Sequence, residues 1–204
     1  MTVRTLGADE LDVAAAMLGA GEVVGIPTDT VYGLAACLGD AAAIAALFAA
    51  KGRPRTAPIA VLCSTTEEAS TVATRWPAAA VRLAAAYWPG PLTIVVAGDP
   101  GIATPLGATD GVGLRVPADA LCLALLTSTG PLAVTSANLH GGAPSTSAAR
   151  LAAVFAGSSV AAVVDGGIRD GAVSTVIDLA GPDLVVVRAG AIDPAAATRV
   201  AATA

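Results

Sequence analysis

The densest group of charged side chains lies in the segment Lys51-Gly52-Arg53-Pro54-Arg55, which holds three of the eleven Lys and Arg residues of the chain. Lys51 is the only lysine in the sequence. The segment directly follows an apolar, helix-like stretch, so one interpretation of Lys51 is that it caps the helix dipole. The other interpretation is anion binding, because the planar guanidinium of Arg53 matches phosphate oxygens and Pro54 stiffens the loop. No G-x-x-x-x-G-K-[ST] motif is present, so side chains would hold a polyphosphate instead of a glycine-rich loop.

A second group of polar side chains follows a buried, strand-like run at residues 22–26. It consists of Thr28, Asp29, Thr30 and Tyr32. Side chains that follow a strand at the edge of an α/β sheet often line a ligand site. An ordinary turn, with Asp29 bonded to nearby backbone, explains the same cluster equally well.

Two arginines lie within or directly after apolar runs. Arg115 stands between Leu114 and Val116, where an unpaired charge would be costly to bury. It is either a structural salt bridge or a bidentate clamp on a substrate carboxylate. Arg188 follows the last strand-like run, and Ser174 precedes the run before it. Both positions suit the binding and orientation of an anion.

The segment after the strand-like run 132–135 contains Ser136, Asn138 and His140. Ser136 and Asn138 are two residues apart and point the same way if the chain stays extended. A serine hydrolase is not expected, because no G-x-S-x-G elbow surrounds Ser136 and no defined spacing relates it to His140. The sequence therefore predicts a binding role for this turn.

Composition limits the classes of function. The chain has 204 residues, of which 55% are hydrophobic and 13% charged, and its formal net charge is −5. A protein that mainly grips nucleic acid is usually basic, so that class is disfavoured. The three cysteines and one histidine do not form a zinc motif, and we expect buried free thiols and no metal site. No apolar run reaches the length of a membrane span and no signal peptide is evident, so we expect a cytoplasmic protein.

Hydrophobic patterning alternates between helix-like and strand-like segments. The last three strand-like runs are not separated by long helices, which favours a mixed sheet. We therefore predict an α/β fold with three layers, a twisted mixed parallel/antiparallel sheet flanked by helices, in a single domain over residues 1–204. Predicted helices cover 9–21, 41–50, 67–74, 78–88, 119–128, 146–155 and 194–201. Predicted strands cover 22–26, 59–63, 92–97, 112–116, 132–135, 160–164, 175–179 and 184–187.

The order of these segments resembles the YrdC-like threonylcarbamoyl-AMP synthases, in a short form with one YrdC-like domain. The resemblance runs from about residue 21 to residue 190 and rests on the motifs PTDTVYGL, KGRP, WPGPLT, GLRVP, TSAN, STVID and VRAG. It implies a reaction of L-threonine, bicarbonate or CO2, and ATP that yields threonylcarbamoyl-AMP and pyrophosphate. It also implies Mg2+ with the triphosphate, tRNA-modifying enzymes as downstream partners and weak tRNA contact.

The resemblance also implies roles for particular residues. Thr30 and Ser174 would contact threonine, and Arg115 would hold its carboxylate. Lys51 and Arg53 would be the catalytic residues on the ATP phosphates. The nucleotide pocket would be lined by Ser136, Asn138, Thr146 and Arg188.

Two positions depart from the family pattern, and two other functions remain open. Ala57 stands where relatives often carry a polar nucleotide-contacting residue, and His140 replaces a small hydroxyl residue.

One alternative function is an RNA-binding or regulatory module, which the acidic charge and few aromatic residues disfavour. The other is a carbamoyl-transfer domain like that of hydrogenase-maturation proteins, whose cysteine pairs are missing from this sequence.

Overall fold

The computed structural model describes residues 2–169 and 171–203. Over these residues the chain forms ten strands and eight helices. In chain order they are β1 (Arg4–Leu6), α1 (Leu11–Gly19), β2 (Val23–Ile26), β3 (Gly33–Cys37), α2 (Ala41–Lys51), β4 (Ala60–Leu62), α3 (Thr66–Val72), α4 (Ala78–Tyr87), β5 (Leu92–Ala97), α5 (Pro100–Ala103), β6 (Gly111–Arg115), α6 (Ala120–Thr129), β7 (Leu132–Ser136), α7 (Ala148–Val154), β8 (Val160–Val164), β9 (Thr175–Asp178), β10 (Val185–Arg188) and α8 (Pro194–Ala202).

The strands form one sheet with the order β1-β8-β2-β3-β7-β4-β6-β5-β9-β10. Strand β8 pairs in parallel with both β1 and β2, and the pairs β4–β6 and β5–β9 are also parallel. The pairs β2–β3, β3–β7, β4–β7, β5–β6 and β9–β10 are antiparallel. The predicted mixed sheet is confirmed.

The helices cover the two faces of this sheet unequally. Helices α2, α4, α7 and α8 contribute to a large core on one face, where β5 places Leu92, Ile94 and Val96. Helices α1 and α6 form a smaller core on the other face, over β1, β8, β2, β3 and β7. This smaller core reaches as far as Leu62 of β4, and the same face of β6, β5 and β9 lines a cavity instead of packing against α1 and α6.

Helix α2 brings the cationic segment to this open face. Asp40 caps its first turn by accepting hydrogen bonds from the backbone N–H groups of Ala42 and Ala43. Gly52 ends the helix in the left-handed conformation with φ +58. Lys51 is consequently the last residue of the helix, and the expectation that it lies on the following loop is wrong.

Three elements were not expected from the sequence: β1, β3 and the single turn α5. Strand β3 reads Gly-Leu-Ala-Ala-Cys and contains no β-branched or aromatic residue. Its pairing with β2 and β7 places it inside the sheet regardless of this weak local preference. Among the described residues, no helix is both long and apolar enough to cross a bilayer.

Candidate active site

The open half of the sheet carries a cavity of about 540 Å³. This volume is within the range of sites that hold drug-sized ligands or cofactors. Alternate residues of β4, β5, β6 and β9 face it, because their neighbours along each strand face the core. The lining includes the polar residues Thr28, Thr30, Tyr32, Arg53, Thr93, Arg115, Thr135, Ser136, Ser174, Asp178 and Arg188.

Three arginines, Arg53, Arg115 and Arg188, come from distant parts of the chain and meet in this cavity. Asp178 is the one carboxylate among the described residues of the lining, where arginines outnumber it, although the net charge of the protein is −5. Burial lowers the pKa of Arg188, and the neighbouring charges of Arg115 and Arg53 lower it further. The guanidinium of Arg188 is therefore repelled by the other two, and an anion bound beside it would relieve that repulsion.

Arg115 is held firmly in place at the floor of the cavity. Its Nη2 lies 2.6 Å from Oδ1 of Asp29 in a buried ion pair. Its Nε donates to the carbonyl of Gly90 at 3.0 Å, and its Nη1 donates to Oγ1 of Thr30 at 3.2 Å. Burial lowers the pKa of Arg115, and the carboxylate of Asp29 opposes this effect. Each nitrogen has a partner, and only the second hydrogens of Nη1 and Nη2 are left for a ligand.

Arg188 and Ser174 form a second group on the opposite wall. Nε of Arg188 donates to the carbonyl of Ser174 at 2.9 Å, and Nη2 donates to its hydroxyl at 2.8 Å. The hydroxyl of Ser174 also lies 3.0 Å from that of Thr93 on β5. Arg188 is exposed at the rim of the cavity, while Ser174 and Thr93 are buried. No carboxylate of the described residues pairs with Arg188, so its charge is available to an anion.

Arg53 is placed by the loop that follows α2. Its Nε donates to the carbonyl of Ala57 at 2.8 Å, and its Nη2 donates to that of Pro58 at 2.9 Å. Burial lowers the pKa of Arg53. Arg55, two residues later, lies over the ring of Phe48 at 4.7 Å and is not part of the cavity lining. The departure at Ala57 lies in the cavity, so this position offers a ligand a methyl group and no side-chain hydrogen bond.

Lys51 does not line the cavity. It is 1% exposed, and its ammonium donates to the carbonyls of Ser136 and Asn138 and, at 3.4 Å, to Oδ1 of Asn138. Burial and the charge of Arg53 lower its pKa to about 8. Its spacing from Ile44, Leu47 and Phe48 continues the buried stripe of α2, a signal that predicts an inward side chain.

The turn after β7 contributes Ser136, whose hydroxyl donates to Oδ1 of Asn138 at 2.6 Å. Ser136 lines the cavity, whereas Asn138 is buried behind it and Thr146 is exposed outside the lining. Next to this turn, Ser145 is fully buried outside the cavity lining, and its carbonyl accepts from the N–H of Tyr32. Its hydroxyl has no hydrogen-bond partner among the described residues.

Six of the nine site residues implied by the resemblance line the cavity: Thr30, Arg53, Arg115, Ser136, Ser174 and Arg188. Sequence reasoning missed the lining residues Thr93 and Asp178, because a single hydroxyl or carboxylate within a strand carries no distinctive pattern. His140 is exposed and does not line the cavity. Among the described residues, no group of three His, Cys, Asp or Glu side chains is placed to bind a metal ion.

Sequence comparison agrees with this geometry. The Sua5/YciO/YrdC family, described as telomere recombination, matches residues 16–190. A Mycobacterium tuberculosis protein provisionally named threonylcarbamoyl-AMP synthase is 38% identical over 181 residues, which are 88% of this chain and 83% of that protein. The threonylcarbamoyl-AMP synthase of Pyrococcus abyssi is 38% identical over 188 residues, 90% of this chain and 54% of its own length. The chain thus spans about half of the Pyrococcus relative.

Solved structures show the same fold. The crystal structure of P. abyssi Sua5 complexed with L-threonine aligns with a TM-score of 0.91 and 33% identity, over 98% of this chain and 61% of that one. Escherichia coli YciO aligns with a TM-score of 0.84 and 26% identity, over 95% of this chain and 98% of its own. The resemblance inferred from the motifs is therefore confirmed, and the chain belongs to the Sua5/YciO/YrdC family.

Proposed function

We propose that this protein is a threonylcarbamoyl-AMP synthase, which joins L-threonine, bicarbonate or CO2, and ATP and releases pyrophosphate. One structural observation carries the proposal. Three arginines, with one carboxylate among the described lining residues, converge in a cavity of about 540 Å³ on an otherwise acidic protein. This charge distribution suits a substrate with several negative charges, such as a triphosphate bound beside an amino acid.

In the proposed reaction, the amine of threonine takes up CO2 and becomes a carbamate. A carbamate oxygen then attacks the α-phosphorus of ATP, and the bond from that phosphorus to the bridging oxygen of pyrophosphate breaks. The protein contributes alignment of the two substrates and stabilisation of the negative charge that develops on the leaving group. No side chain has to act as a nucleophile.

The geometry supports a division of the cavity between the two substrates. Arg53 and Arg188 lack carboxylate partners among the described residues, so we assign them to the phosphates. The free hydrogens of Arg115 are assigned to the carboxylate of threonine, next to Thr30 and Ser174. We assign Ser136 to the nucleotide.

Lys51 acts from behind the cavity wall in this proposal. Its ammonium holds the backbone of Ser136 and Asn138 and adds positive potential without touching the phosphates. Mg2+ would enter with ATP, and Asp178 is the carboxylate of the lining that could meet it. We further propose that the product passes to enzymes that modify tRNA.

The experiment that tests this function measures pyrophosphate release from ATP in the presence of L-threonine and bicarbonate. Release that requires threonine supports the proposal, and release that continues without threonine contradicts it. Binding of tRNA with no turnover of ATP would favour an RNA-binding module instead.

Arg53→Ala, compared with Arg55→Ala, tests the assignment to the phosphates. Loss of a charge-assisted hydrogen bond to phosphate is expected to lower kcat/KM by roughly 10- to 100-fold. Arg55 lies on the same loop but donates to the carbonyl of Pro105, outside the cavity, so its variant is expected to stay within about twofold of the wild type. Equal effects of the two substitutions would contradict the assignment.

A further inference from the structure

Strand β10 contains a β-bulge directly before Arg188. Antiparallel pairing with β9 joins Val186 to Ile177. The next pair of the ladder is Arg188 and Val176, so Val187 is an extra residue on β10. As a result, two consecutive residues of β10, Val187 and Arg188, line the cavity.

The bulge places the guanidinium on the ligand side of the sheet. Residues opposite each other on antiparallel strands share a face, and Val176 lines the cavity. In an unshifted ladder Arg188 would lie opposite Thr175 and would share its face, which is the face of the core residue Ile177. The direction of Arg188 therefore depends on what holds β10 in its shifted register.

The hydroxyl of Thr175 fastens the chain that follows β10. It donates to the carbonyl of Ile192 at 2.6 Å and accepts from the N–H groups of Gly190 and Ile192, each at 3.0 Å. The direction of each bond is fixed, because a carbonyl only accepts and an N–H group only donates. One hydrogen and two lone pairs are the whole capacity of a hydroxyl, so Thr175 has none left for a ligand. Thr175 is completely buried and does not line the cavity.

The fastened segment lies directly beside the arginine. Gly190, two residues after Arg188, approaches the backbone of Val173 and Ser174 too closely for a side chain. The N–H of Ala191 donates to the carbonyl of Val173 at 2.9 Å. Arg188 donates to Ser174 from Nε and Nη2, so Nη1 and one hydrogen of Nη2 have no partner among the described residues. These contacts hold the turn and leave donors of the guanidinium for an anion.

We propose that Thr175 is a positioning residue that aims Arg188 into the cavity, because it holds residues 190–192 and with them the bulged register of β10. The inference rests on the proposed function, in which Arg188 binds a phosphate of ATP. Removal of the Thr175 hydroxyl leaves two backbone N–H groups and one carbonyl without their partner. A shift of β10 toward the regular register would then turn the guanidinium away from the phosphates.

The test compares wild type, Thr175→Val and Thr175→Ser by calorimetric binding of ATP and by steady-state pyrophosphate release. Valine has the shape of threonine without the hydroxyl, and we expect the Kd and KM for ATP to rise roughly 3- to 10-fold. Thr175→Ser keeps the hydroxyl and should recover most of the affinity. Thr129→Val is the control, because this half-buried hydroxyl donates to the carbonyl of Leu125 outside the cavity. Its ATP affinity should stay within about twofold of wild type.

A double-mutant cycle with Arg188→Met separates positioning from general structural damage. If Thr175 acts through the guanidinium, Thr175→Val should change the Kd for ATP by less than about twofold in protein that already carries Arg188→Met. A further loss in that background as large as in the wild-type background would refute the positioning role. Wild-type ATP affinity in the single variant Thr175→Val would also refute it.

The outcomes separate this inference from the proposed function. If wild-type protein binds ATP but releases no threonine-dependent pyrophosphate, the proposed function fails, and the cycle of ATP affinities still decides the role of Thr175. Wild-type protein that does not bind ATP would overturn both. Should Thr175→Val not fold, Thr175→Cys replaces it, since a thiol is a weaker donor and acceptor, and unchanged ATP affinity would again contradict the role.

Discussion

Replacement of Lys51 by Met is expected to destabilise the protein, even though the sequence suggested a surface loop that would tolerate the change. Methionine has a similar length but donates no hydrogen bonds. The carbonyls of Ser136 and Asn138 would lose their buried donor, at a cost of about 1–3 kcal/mol each. Relief from burying an ammonium group offsets part of this loss. We expect the free energy of unfolding to fall by about 2–3 kcal/mol at neutral pH.

The effect of this substitution should depend on pH. Burial lowers the pKa of Lys51 from its ordinary value of 10.5 to about 8. Between these two values the unfolded chain holds a proton that the folded protein has released, so wild-type stability rises with pH in this window. The difference between the pKa values corresponds to about 3 kcal/mol. The Met variant lacks this gain, and the gap in stability between the two proteins should widen by up to that amount.

Urea unfolding of both proteins, at pH values from about 7 to about 10.5, measures this gap. All other titrating groups are shared and largely cancel in the comparison. Arg55→Met is the control, because Arg55 is exposed and should lose less than about 1 kcal/mol at every pH. A gap between wild type and Lys51→Met that stays constant across this window would refute the account of Lys51 as a buried, desolvated ammonium.

Two further substitutions test the walls of the cavity. Arg115→Met leaves the carboxylate of Asp29 buried without a cation and is expected to cost about 3–5 kcal/mol in urea unfolding. Adding Asp29→Asn should recover part of that stability but not the pyrophosphate release, and recovery of activity would contradict the substrate role of Arg115. Gly190→Ala places a methyl group on the carbonyl of Val173 and is expected to cost about 2 kcal/mol, which lowers the Tm of a chain of this size by roughly 4–8 °C. Gly181→Ala has open space around it and should change the Tm by less than about 1 °C. Equal melting temperatures for the two alanine variants would show that Gly190 is not required for close approach.

Much of the secondary structure could be predicted from hydrophobic patterning, but the sheet order could not. Strand β8 lies next to β1 and β2, whereas β9, which follows it in the chain, pairs with β5 near the opposite edge. Pairing between distant strands depends on the whole packed structure, and local patterns do not encode it. The same reason explains why β3 was missed.

Part of the candidate site could be predicted from the sequence. Arg115 and Arg188 lie in or beside apolar runs of the sequence, where burying an unpaired charge is costly. Both line the cavity. The inward direction of Lys51 was missed, although its spacing from Ile44, Leu47 and Phe48 follows the buried stripe of α2, because the residue was grouped with the cations that follow it. Thr93 gave no signal, since its place in the site depends on Ser174, which is distant in sequence.

The unequal helix cover has a consequence for how this scaffold can change. Val95 and Val176 are half-buried and line the cavity, while Ile94 and Ile177 beside them are buried in the interior. Exchanging a side chain at positions 95 and 176 changes the shape offered to a ligand and does not alter the core on the other face of the sheet. Libraries aimed at new amino-acid substrates should therefore begin at these two positions.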